Sequence, residues 1–178
     1  PVNVSTVAAG DFTVNGLPAS SFTFSNGNAT ITFHFNTSPV TVQGPQAMHI
    51  AAGSMLRQSD GMGIFDFTCS FCYAVTPLQV VSTVPAVGGT FTPPAPGNYN
   101  YDINFNQPVD AASVQDSDLM VSGNSGPSVT GHSLLNGNMT VRFTLHMNFG
   151  GMLTASLGVG AITANSCNGN AVFTGNYT

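Results

Sequence analysis

Between Asn98 and Asn106 the chain reads NYNYDINFN, with Tyr99, Tyr101, Ile103 and Phe105 alternating without exception against Asn98, Asn100, Asp102, Asn104 and Asn106. Successive side chains of a pleated strand point to opposite sides, so this period of two gathers every apolar side chain on one face, whereas a helix would scatter them. Residues 140–146 repeat the pattern, with Val141, Phe143 and Leu145 against Thr140, Arg142, Thr144 and His146. Residues 29–36 do so again: Ile31, Phe33 and Phe35 are expected to face inward and Thr30, Thr32 and His34 outward. The turn signals Asn26-Gly27 and Asn136-Gly137 precede these last two strands. Abundant Asn, Ser and Thr, with 20 Gly and 11 Pro, supply the strand and turn residues that an all-β chain needs. The one helix-like stretch, Asp110 to Gln115, has a capping Asp and room for a single turn, and its counterpart begins at Asn3.

The chain also matches itself at a shift of about 107 residues. Pro1-Val2-Asn3 answers Pro108-Val109-Asp110, Asp11-Phe12 answers Asp118-Leu119, and Val14 and Gly16 answer Val121 and Gly123. After a three-residue insertion, Asn26-Gly27-Asn28 answers Asn136-Gly137-Asn138. The first register then returns for Gly44 with Gly151, Ile50 with Leu157 and Gly53 with Gly160, and Phe67 and Phe71 correspond to Phe173 and Tyr177. The second copy reads as seven strands, at about 79–84, 98–106, 119–122, 128–134, 139–147, 152–157 and 171–177. Seven short antiparallel strands in ~100 residues is the count of an immunoglobulin-like sandwich.

The run VVSTVPAVGGTF, the strand ending NFNQPVDAASV, the DLMVSG segment, the NGN turn and the closing GAITANSCNGNAVFTGNY resemble the tandem bacterial Ig-like domains of S-layer and other large secreted or surface proteins. The resemblance covers residues 79–178 fully and 1–73 in part. It implies spacing, cohesion or adhesion rather than chemistry, since one fold hosts many functions. The expected architecture is all-β, two tandem Ig-like sandwiches: a partial domain at 1–73 lacking its first two strands, a linker at 74–78, and a complete domain at 79–178. Four missing inward side chains, at about 1.5–3 kcal/mol each, withhold about 6–12 kcal/mol from the first domain. That rivals the ~5–15 kcal/mol stability of a whole domain. An upstream part of a longer chain, strand addition from a neighbouring subunit, or some other closure is expected to fill the gap.

Charged residues make up 5% of the chain: Arg57 and Arg142 are the only basic side chains, all seven acids are Asp, and Lys, Glu and Trp are absent. With a net charge of −5 the chain lacks the basic surface that nucleic acid or an anionic membrane would select. No apolar run approaches the ~18 residues of a membrane span. Pro1 opens no signal-peptide pattern, so the chain reads as processed or excerpted. Without Lys there is no Schiff base, phosphate-loop lysine or Lys-Asn crosslink.

No HxxxH, HxH or GxSxG occurs, and His34, His49, His132 and His146 stand singly, His132 near an expected turn. Asp110, Asp116 and Asp118 cluster, but capping and turn roles account for them without calcium. Five Asn-X-Ser/Thr triplets, at Asn3, Asn28, Asn36, Asn138 and Asn176, are glycosylation acceptors only in a suitable source. The expectation is a non-enzyme with no catalytic residue, no cofactor and no metal. Its expected place is the cell exterior and its expected partners are copies of itself or flanking domains. A carbohydrate partner, the alternative of an adhesin or sugar-binding module, lacks Trp as a stacking platform.

Three cysteines remain. Cys69 and Cys72 have CxxC spacing, but zinc needs a fourth ligand and a redox motif belongs at a helix start. In a regular strand, residues three apart face opposite ways, so a local bond would require the strand to end at Cys69. Ig-like topology places Cys167, in the loop before the last strand, at the end where the domain begins, so Cys69, Cys72 and Cys167 are expected to gather at the domain junction. A bond from Cys167 to Cys72 or Cys69, a local Cys69–Cys72 link, and three free thiols all stay open at this point.

Overall fold

The computed structural model describes residues 1–92 and 95–178. The chain divides into two compact units, Pro1–Tyr73 and Ala74–Thr178. The first holds β1 (Phe12–Val14), β2 (Leu17–Pro18), β3 (Ser21–Ser25), β4 (Thr30–His34), β5 (Gly44–Ile50) and β6 (Phe67–Tyr73). The second holds β7 (Val80–Val84), β8 (Gly97–Phe105), β9 (Leu119–Ser122), β10 (Ser128–Leu135), β11 (Thr140–Met147), β12 (Leu153–Leu157) and β13 (Phe173–Tyr177). All pairings between these strands are antiparallel. Among the described residues the only helical segments are four three-residue 3₁₀ turns.

In the second unit one sheet runs β10-β11-β8-β7 and the other β13-β12-β9. This is an Ig-like sandwich, and its seven strands begin and end within two residues of their expected positions. The alternation of β8 becomes burial: Tyr101 and Ile103 are fully enclosed and Phe105 nearly so, against Val141, Phe143 and Leu145 of β11 and Ala155 and Leu157 of β12. The stretch 74–78, read above as a linker, lies within this unit. The Thr76 carbonyl accepts from Gln107 Nε2 at 2.8 Å and Asn168 Nδ2 at 2.6 Å, and Leu78 is fully buried in the core. Its Thr-Pro-Leu composition resembles a loop, but one buried leucine side chain is worth about 1.5–3 kcal/mol and anchors it.

The first unit repeats the local conformation of the second in detail. Asn3 and Asp110 each cap a 3₁₀ turn, accepting from the Ser5 and Ala112 amides. The Asp11 and Asp118 carboxylates each accept a backbone amide three residues back, both at 2.7 Å. The Asn-Gly-Asn turns at 26–28 and 136–138 both take positive φ throughout. In each, the leading Asn donates to a Thr hydroxyl at 3.0 Å, Asn26 to Thr30 and Asn136 to Thr140. The sheets of the first unit run β2-β1-β5-β6 and β3-β4. The first answers β9-β12-β13. The second answers β10-β11 and, among the described residues, stops there.

Candidate assembly surface

In the second unit β11 lies between β10 and β8, and eight register pairs join it to β8, from Thr140 with Asn104 to Met147 with Gly97. Its counterpart β4 pairs with β3 over five positions, Ser21 with His34 through Ser25 with Thr30, and is otherwise unpaired among the described residues. One edge of β4 therefore presents backbone amides and carbonyls of the kind that template another strand. The side chains report the same vacancy. Val141, Phe143 and Leu145 are fully enclosed, whereas their counterparts Ile31, Phe33 and Phe35 are half-buried. Phe12 meets Phe33 at 5.1 Å and Phe35 at 6.1 Å, and Phe22 meets Phe33 at 6.1 Å, between ring centroids. These rings cover one another in part, and none is buried.

The uncovered region continues onto β6, whose seven residues are all exposed. Strand alternation sets Phe67, Cys69, Phe71 and Tyr73 in one row, with exposures of 44% for Phe67, 37% for Phe71 and 40% for Tyr73. In the second unit the counterpart of Phe71 is Tyr177, which is 1% exposed because β8 lies over it. The Tyr101 and Tyr177 rings stand edge-on at 5.2 Å and their hydroxyls hydrogen-bond at 2.6 Å. Burial and the Tyr177 hydroxyl push the Tyr101 phenol well above its ordinary pKa. Removing β7 and β8 from the sandwich would uncover that row, and among the described residues the first unit has no counterpart of either.

Beside Pro1 the first unit also holds a cavity of about 320 Å³, bounded by Val2, Ala29, Met55, Ile64 and Phe65 among others. Phe65 there is 82% exposed. Ala29 corresponds to Met139, whose carbonyl accepts the Phe105 amide at 2.8 Å. Phe105, 2% exposed, is thus the residue that comes to the equivalent place in the second unit.

The polar groups pair off without forming a reactive cluster. His49 Nε2 meets the Asp66 carboxylate at 2.9 Å on an exposed surface, and that hydrogen bond holds Asp66 below the usual carboxylate range. His132, expected near a turn, instead pairs with Phe143 inside β10, and its Nδ1 reaches the Asp116 carboxylate at 2.5 Å. His146 Nδ1 meets Asn98 Oδ1 at 2.8 Å, and Arg142 grips Asp102 with two bonds of 2.7 Å on the outer face of β8 and β11. Asp110 and Asp118 act as caps, and Asp116 serves His132 instead. Among the described residues no three His, Cys or Asp side chains converge to hold a metal ion.

The cysteines expected at the junction are placed as follows. Cys69 and Cys72 lie on β6, paired with Met48 and Pro45, and β6 continues unbroken through both, so they face opposite sides. Cys69 carries an exposed free thiol. Cys167 takes a positive φ of 68° in the turn where its amide donates to the Ala164 carbonyl at 2.8 Å. Sequence reasoning expects the first domain to lack two strands but does not point to the β6 row that such strands would cover. Its signal was present as an apolar phase, Phe67, Cys69, Phe71 and Tyr73, with no partner phase in the first copy.

A comparison with curated proteins gave no match. Residues 74–178, more than half the chain, match the family described as bacterial Ig-like domain. Domains of this family occur in bacterial surface or secreted proteins and are typically non-catalytic. The seven-stranded sandwich and this match agree, and the chain belongs to the bacterial Ig-like domain family.

Proposed function

We propose that the protein is a non-catalytic structural segment of a bacterial surface layer, fibre or stalk, which acts by assembly and spacing. The observation that carries this reading is the incomplete first sandwich, with β4 unpaired on one edge and the Phe67, Phe71 and Tyr73 row exposed. Such a surface gains stability only when another strand covers it. The low charge supports close packing between neutral faces, since few ions must lose water when subunits meet. The adhesin alternative has less support. The cavity of about 310 Å³ in the second unit is bounded chiefly by apolar groups, Phe91, Tyr99, Met147 and Phe149 among them, which offer little to pair with sugar hydroxyls.

Intact source cells labelled with an antibody against the second unit, followed by electron microscopy of the isolated surface material, test this proposal. Labelling of unbroken cells and repeated sandwich-sized beads along a filament or lattice are expected. Labelling only after lysis would refute it.

A further inference from the structure

We propose that the first unit is completed by two antiparallel strands of the same polypeptide lying ahead of Pro1, added to the free edge of β4 in the register by which β8 lies on β11. The inference rests on the assembly reading above and names the segment that covers the surface. Its basis is the path of the backbone. The Val2 amide donates to Asn28 O as the Val109 amide donates to Asn138 O, both at 3.0 Å. The Asn3 amide donates to Leu56 O as the Asp110 amide donates to Thr163 O, both at 2.8 Å. Isolated bridges join Val2 to Arg57 and Val109 to Ala164 in the same antiparallel sense.

The chain thus runs through both units along one path at this point. In the second unit that path is the direct continuation of β8, separated from Phe105 only by Asn106 and Gln107. A strand on the edge of β4 in the same register would emerge at Pro1. A second copy could supply such a strand only by withdrawing β7 and β8 from its own core, where Tyr101 and Ile103 are fully enclosed.

The surface also specifies what the added strand must carry. Opposite Ile31, Phe33 and Phe35, in the places of Ile103, Tyr101 and Tyr99, it needs apolar side chains at every second position. At the place of Tyr101 the structure favours Phe, Leu or Ile over Tyr. The hydroxyl of Tyr101 is satisfied by Tyr177, and the counterpart of Tyr177 is Phe71, which has no hydroxyl to offer. A buried phenol there would lose its partner. On the outer face, Thr32 stands where Arg142 grips Asp102, so no carboxylate is required.

Cys69 reports occupancy, because its exposed free thiol lies in the row that the added pair would cover. Alkylation with a maleimide is timed in residues 1–178 and in the parent polypeptide as the source cell makes it. A third chain repeats residues 79–107 directly ahead of Pro1, with Tyr101→Phe in the repeated copy. Rapid labelling of the first, at least tenfold slower labelling of the other two, and new hydrogen-exchange protection of β4 amides in both are expected. Equal labelling of the parent polypeptide and residues 1–178 overturns the proposal. A dimer of residues 1–178 with β4 protected overturns it in favour of a second copy. Either outcome, with surface labelling of intact cells retained, removes the strand donor and leaves the structural reading standing.

Discussion

Replacing Tyr177 with Phe should destabilise the second unit more than replacing Tyr101, although the two hydroxyls share one hydrogen bond. Thr83 Oγ1 donates its single proton to the Pro85 carbonyl at 2.8 Å. It must therefore accept from Tyr177, 3.0 Å away, and Tyr177 in turn must accept from Tyr101 at 2.6 Å. The proton order runs from Tyr101 through Tyr177 and Thr83 to the carbonyl. Tyr101→Phe leaves Tyr177 still donating and removes one ordinary bond, about 0.5–1.5 kcal/mol. Tyr177→Phe strands the phenolic proton of Tyr101, whose side chain is fully buried, and a stranded buried donor costs about 1–3 kcal/mol beyond the lost bond. The double variant has no orphan donor, so its cost should fall below the sum of the singles by about 1 kcal/mol. Urea unfolding of the whole chain, followed through methyl signals of Val141 and Ala155, reads the second unit without depending on tyrosine fluorescence. Additive costs, or a larger loss for Tyr101→Phe than for Tyr177→Phe, would refute the proton order.

The raised pKa of Tyr101 makes stability pH-dependent in one direction. The unfolded phenol ionises near the ordinary tyrosine value of about 10 while the folded one keeps its proton, so stability is full below that pH and declines above it. Urea midpoints between pH 8 and 11 should fall in the wild type and fall less in Tyr101→Phe. Phe143→Ala should cost about 3–5 kcal/mol at its fully buried position. Phe33→Ala, at the half-buried counterpart, should cost about 1–2 kcal/mol, as read from first-unit signals in the same urea titration. Peptide mapping of unreduced protein should yield alkylated Cys69, and a Cys69-containing link would overturn its assignment as a free thiol.

The strands, their order of burial along β8 and β11, and the internal repeat were legible because each depends on neighbouring residues. Alternation at Tyr99, Tyr101, Ile103 and Phe105 follows from the pleat, and positive φ in the Asn-Gly-Asn turns follows from residue type. The capping carboxylates of Asp110 and Asp118 were readable for the same reason, since a cap reaches only two or three residues along the chain. The family resemblance rested on these local patterns as well.

Tertiary structure decided what such patterns leave open, namely which apolar face receives a cover. Phe71 and Tyr177 occupy the same place in the repeat, yet one is 37% exposed and the other 1%, because only the second unit has β8 lying above it. The anchoring of Leu78, the reach of His132 to Asp116 and the hydroxyl chain from Tyr101 to Pro85 likewise join residues distant in sequence. Side-chain direction is a property of the strand itself, whereas burial is a property of whatever packs against it. A sequence pattern therefore states the first for Phe67, Cys69, Phe71 and Tyr73, and only the folded neighbours determine the second.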